Sequence, residues 1–133
     1  MTETLFTREM MDAVPGVKRR KFPTPELGEG TFLYLFEPTA AQQEEAFRFA
    51  REEDGKVDIA KAQAALAVKC LRDSDADDAK QVFKYQDIPW LMSRPASFLV
   101  RVDMTVKILG ESTREAQGAQ EDFTAPRKAP GSD

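Results

Sequence analysis

The sequence predicts an α+β domain, mainly helical, with an N-terminal β-hairpin and a disordered C-terminal tail. Three observations lead there. Thr31 to Phe36 is an aromatic-rich run that follows a loop holding two prolines and two glycines. Apolar residues then recur at helical spacing in three later segments. Between Glu111 and Asp133 a single large apolar residue, Phe123, remains. The chain has 133 residues, 41% apolar and 32% charged, the balance of an ordinary soluble protein. At this size roughly two-thirds of the unfolded surface leaves water, enough for one core without disulfide or metal. We expect one domain over residues 1–110 and a tail over 111–133.

Each element has its own signals. Residues 1–14 predict a short helix, with Thr7 as N-cap, Phe6 and Met11 placed as a staple, and Glu9 in the first turn. Pro15-Gly16 stops it. Val17–Phe22 and Thr31–Phe36 predict the two arms of a hairpin around Pro23–Gly30. In the second arm Phe32, Tyr34 and Phe36 share one face, and Leu33 and Leu35 the other. Thr39 and Gln42 spell a capping box for a helix to about Glu52, with Ala46, Phe47, Phe49 and Ala50 as buried candidates and Asp54-Gly55 as the stop. Asp58 to Leu71 repeats Ile59, Ala62, Leu66 and Cys70 on one stripe. Asp73–Asp78 is a polar loop. Asp87 predicts the N-cap of a short segment ending at Met92. Pro95 opens the last helix, with Ser93 or Arg94 capping, an inward stripe of Leu99, Val102, Val106 and Leu109, and Gly110 as its stop.

Composition excludes several chemistries. The chain has no histidine, which removes Ser-His and Cys-His pairs and histidine metal ligands. One cysteine, Cys70, allows no intrachain disulfide and no Cys-x-x-Cys zinc site, and its place on a helical apolar stripe marks it as a core residue. Asp73, Asp75 and Asp77 match the first three ligand positions of a calcium loop. Asp78 stands where glycine is required and Lys84 where a bidentate glutamate is required, so the calcium reading fails. Gly28-Glu29-Gly30 lacks a third glycine and precedes a strand, so it is no phosphate loop. Nothing supports an enzyme, and no cofactor is expected. No apolar run approaches the ~20 residues of a membrane span.

Two features invite a partner. Lys18-Arg19-Arg20-Lys21 puts consecutive cations on a strand, where they alternate between faces. It reads as an edge guarded by charge, or as a contact for an acidic partner or nucleic acid. The net charge of −4 and the split faces argue against nucleic acid. The second arm is apolar on both faces, which implies that its outer face is covered, either within the monomer or by a partner.

Taken in order, these pieces resemble the tail assembly chaperones of long-tailed bacteriophages. The resemblance rests on Leu5-Phe6-Thr7, the basic strand and Pro-Thr-Pro-Glu-Leu-Gly loop, and Phe32–Phe36 leading to the Thr39-capped helix. It continues through Ala65–Asp73, then Val82-Phe83, Asp87-Ile88 and Leu91, and closes at Ile108-Leu109-Gly110, where the family usually has Leu-Asn-Gly. The resemblance implies a non-enzymatic protein of the host cytoplasm that coats the tape measure protein, a long helical rod. It further implies self-association as a homo-oligomer and displacement by tail tube protein. On this reading Phe32, Tyr34, Phe36 and Trp90 are the residues expected to meet a partner or a second copy. A minor tail or adaptor protein that stays in the virion, and a small nucleic-acid-binding regulator, are the alternatives.

Overall fold

The computed structural model describes residues 3–14 and 16–121, with side chains described as far as Glu111. Strands β1 (Arg19–Pro23) and β2 (Phe32–Phe36) form the expected antiparallel hairpin. A third strand, β3 (Leu71–Arg72), adds to the far side of β2, giving the order β1-β2-β3. Helices α1 (Ala40–Ala50), α2 (Ile59–Cys70), α3 (Ile88–Met92) and α4 (Ala96–Glu121) follow in chain order. The fold is thus α+β, helical in the main, with the hairpin near the N-terminus.

Local signals account for the helix starts. The Thr39 capping box closes as expected. The Gln42 amide donates to Thr39 Oγ1 at 3.1 Å, and the Thr39 amide to Gln42 Oε1 at 2.9 Å. Asp58 caps α2, accepting from the Lys61 amide at 3.2 Å. After α1 the chain turns sharply at Gly55, whose φ of 88° is a left-handed conformation that glycine adopts without strain. Arg51 then pairs with Val57 in an isolated bridge.

Helix α2 is the centre. Seven of its residues are buried: Ala62, Ala64, Ala65, Leu66, Ala67, Val68 and Cys70. The alanines let the neighbouring helices approach closely. One continuous core joins α2 to Phe22, Leu35 and Leu71 on the inner face of the sheet. The same core takes in Ala46 of α1, Ile88 and Leu91 of α3, and Phe98, Leu99, Val102 and Leu109 of α4. Phe22 and Phe98 meet edge-to-face with ring centroids 6.1 Å apart. Cys70 is fully buried, and that burial pushes its thiol up to about 12.

The hairpin loop is fastened at both ends. Thr24 is buried, its Oγ1 lies 2.6 Å from Thr31 Oγ1, and its carbonyl accepts from the Leu27 and Gly28 amides. Glu26 receives two hydrogen bonds from Arg101 of α4, at 2.7 and 3.0 Å, and one from Ser97 Oγ at 3.2 Å. Arg101 also donates to the Pro23 carbonyl at 2.7 Å and lies over the Phe22 ring. The Arg101 hydrogen bonds hold the Glu26 carboxyl down to about 2, against its ordinary 4.5. A depressed folded-state value means that the bound carboxylate stabilises the fold fully above about pH 4.5 and loses that contribution as pH falls toward 2. Glu26→Gln should therefore flatten the acid limb of a urea-midpoint series between pH 4.5 and 2, and cost about 2 kcal/mol at pH 7. An unchanged acid limb would count against the clamp.

The structure departs from several expectations. Residues Arg8–Ala13 form a 3-10 helix rather than an α-helix, and none of them is buried. Phe6 and Met11 are both exposed rather than stapled, and Pro15 lies outside the described residues. Phe49 and Ile59 are exposed instead of buried. Asp87 accepts from the Lys84 amide at 2.8 Å, so it serves the 3-10 turn Tyr85–Asp87 and leaves α3 without a side-chain cap. Ser93 Oγ donates back to the Trp90 carbonyl, so it closes α3 rather than opening α4. Gly110 does not stop α4, which continues to Glu121. A glycine inside a helix costs only about 1 kcal/mol, and Glu, Arg, Ala and Gln predominate in the next eleven residues. The remainder of the expected tail, 122–133, lies outside the described residues.

Candidate interaction surfaces

The outer face of the sheet alternates cations with aromatic rings. The register pairs Arg19 with Phe36, Lys21 with Tyr34, and Tyr34 in turn with Arg72. Partners in an antiparallel pair point to the same side, so these five side chains stand together with Phe32. Lys21 Nζ sits 4.3 Å from the Phe32 ring centre. The guanidiniums of Arg19 and Arg72 lie over Phe36 at 4.5 and 4.8 Å. Phe32 and Tyr34 meet edge-to-face at 5.7 Å.

The expected site residues therefore divide. Phe32 is 45% exposed and Tyr34 half-buried, so both are available to a partner. Phe36 is only 3% exposed beneath its two arginines, so in the free chain it supports the face and offers no open surface. Trp90 belongs to α3 rather than to the sheet. It is exposed, packs on Phe83 with centroids 6.2 Å apart, and carries the Arg94 guanidinium over its ring at 4.8 Å. The split of the basic run is as read from the sequence: Arg19 and Lys21 share the aromatic face, while Lys18 reaches the Leu109 carbonyl at 3.5 Å. Strand β1 is the edge of the sheet, and Pro23 and the cations blunt that edge.

The acidic loop borders this face. Arg19 pairs with Asp77 at 2.9 Å and donates to the Asp75 carbonyl at 2.6 Å. Asp73 is committed to the loop itself, accepting from the Lys80 amide at 3.0 Å. Among the described residues no cluster of three or more acidic or cysteine side chains could hold a metal.

Two features escaped the sequence reading. One is a polar knot between α1 and α2: Glu45 accepts from Lys69 at 3.0 Å and from the Tyr85 hydroxyl at 2.8 Å. The Lys69 hydrogen bond, then that of Tyr85, lowers the Glu45 carboxyl. Burial alone would lower Lys69, but the hydrogen bonds and negative charge of Glu45 and Tyr85 together outweigh it and leave Lys69 raised. Burial and donation to Glu45 raise Tyr85. Phe49 stacks on Tyr85 at 4.6 Å. The knot is a helix-to-helix tie with all its partners satisfied by one another.

The second is an apolar ridge on the outside of α4. Val100, Met104 and Ile108 are 43%, 54% and 45% exposed. At four-residue spacing they line one side of the helix, opposite the buried Phe98, Leu99, Val102 and Leu109. The ion pair Asp103–Lys107, at 3.1 Å, runs beside the ridge. The signal was present in the sequence, but it was masked by the stronger inward stripe on the same helix.

Among the described residues no helix is long and apolar enough to cross a membrane. Compared with known proteins, the chain matches no family model, no curated protein and no solved structure.

Proposed function

We propose that the chain is a non-enzymatic assembly chaperone of the phage tail type. It acts in the host cytoplasm, covers the apolar side of the helical tape measure protein, and yields it to tail tube protein. The observation that carries this reading is the outer ridge of α4. Exposed apolar residues at every fourth position form the kind of ridge that packs into the grooves of another helix, at a crossing near −50°. An amphipathic helical rod is the partner this surface fits. Self-association of the chaperone would multiply such shallow contacts into useful avidity. Trp90 and its neighbour Phe83 supply a second apolar contact.

The test is co-purification with co-expressed tape measure protein across a salt series. Apolar contacts should hold the complex at ~0.5 M salt, where the screening length is about 4 Å. A phosphate-driven complex with DNA would lose orders of magnitude over a few-fold rise in salt. DNA binding at low salt, with no tape measure complex at any salt, would replace the chaperone with a nucleic-acid-binding regulator. A complex that persists into finished particles would make the protein a minor tail component instead.

A further inference from the structure

We propose that the N-terminal segment, residues 3–14, docks on the cation–aromatic face of the sheet of a second copy, and that the exchange is reciprocal. This deepens the reading above and rests on its self-association. It adds the two surfaces that meet.

The segment carries apolar residues that its own domain does not cover. Leu5, Phe6, Met10 and Met11 are all exposed, and no residue of Arg8–Ala13 is buried. A 3-10 helix eclipses residues three apart. Glu9 and Asp12 therefore form one acidic ridge, and Met10 stands beside it. With Glu3 and Arg8 included, the segment carries three acids and one base.

The sheet face has the complementary chemistry. Its rings Phe32 and Tyr34 are accessible, and the strands place three cations there, Arg19, Lys21 and Arg72. Arg19 is already paired with Asp77. Among the described residues no carboxylate pairs with Lys21 or Arg72, and these two cations match the two acids of the 3-10 ridge. A polyphosphate strand fits less well, because Asp73, Asp75, Asp77 and Asp78 adjoin the same face through the loop that follows β3. A short segment with two acids toward the sheet and apolar side chains beside them meets less of that repulsion than a chain of phosphates.

The connection limits the geometry. The five-residue step from Val14 to Arg19 spans at most about 18 Å. A reciprocal exchange therefore brings the two β1 edges near each other about a two-fold axis, in a self-complementary contact.

The full chain at ~100 µM should sediment as a dimer. Lys21→Glu alone, and Glu9→Lys with Asp12→Lys, alter exposed side chains and should each weaken the dimer at least tenfold. Lys21→Glu combined with one of the two lysine substitutions, Glu9→Lys or Asp12→Lys, should recover most of the loss that Lys21→Glu causes alone. Cys70 is fully buried, so single-cysteine probes are clean. Mixing Met11→Cys chains with Phe32→Cys chains should give a disulfide-linked dimer of one of each under oxidation. A monomer at 100 µM, or a dimer indifferent to these variants, overturns the inference while leaving tape measure binding as a separate readout. A cross-link that forms only within a chain carrying both cysteines would place the segment on its own sheet and equally overturn it. So would a labelled single-stranded oligonucleotide that binds the monomer and is released by Lys21→Glu.

Discussion

Phe98→Ala is expected to cost about 3–5 kcal/mol, the largest single-residue loss in the molecule. Phe98 is fully buried where α4 meets the sheet, edge-on to Phe22. Truncation removes the transfer energy of the ring and leaves a cavity that cannot easily collapse. One wall is Phe22, which is pinned by β-pairing to Leu33 and by the Arg101 guanidinium above it. A domain of this size is typically stable by only 5–15 kcal/mol, so the fall in Tm should be on the order of 10–20 °C. Phe49→Ala is the control. That ring is stacked on Tyr85 but lies at the surface, and its loss should cost about 1 kcal/mol. If thermal melts rank the two variants equally, Phe98 is not the joint between sheet and helices.

The contrast between these two phenylalanines marks how far the sequence can be read. Helix starts were legible because they are local: Thr39, Gln42 and Asp58 act within four residues of themselves. The hairpin was legible because the loop between its arms is rich in proline and glycine. The inward stripe of α4 was legible because Leu99, Val102 and Leu109 repeat at helical spacing. What failed was long-range or competitive. Strand β3 is two residues long and continues the apolar run of α2, so only its pairing with β2 reveals it. Arg72 joins the aromatic face from a strand remote in sequence, which is why the basic run alone gave an incomplete count of cations there. Glu26 and Arg101 are 75 residues apart, and no local pattern couples them. Phe49 and Ile59 lie at the margins of wide apolar stripes, where periodicity does not decide between core and surface. Gly110 is a stop only where nothing downstream favours helix, and here the following residues do.

The candidate contact residues were only partly legible, for a related reason. Alternation along β2 places Phe32, Tyr34 and Phe36 on one face, and the structure keeps them there. Alternation says nothing of what stands over that face. Two arginines bury Phe36 and leave Phe32 open.

Met104→Glu is expected to weaken binding of an amphipathic client helix strongly while leaving the fold intact. Met104 lies at the centre of the exposed ridge, with Val100 and Ile108 one turn to either side. In the free protein the new carboxylate is solvated and helix propensity hardly changes, so circular dichroism and Tm should stay near those of the parent. In a complex the same carboxylate would be desolvated against apolar side chains without a partner. Transfer of an unpaired polar group costs several kcal/mol, so affinity should fall on the order of 100-fold. Met104→Leu keeps the apolar surface and should bind within a few-fold of the parent. Lys107→Glu, beside the ridge, removes an exposed ion pair with Asp103 and should change association rate and salt dependence more than affinity. Titration of the tape measure segment by fluorescence anisotropy or calorimetry separates these outcomes. Equal affinities for the parent and Met104→Glu would move the client site off α4, and Trp90→Ala would then be the next variant to test.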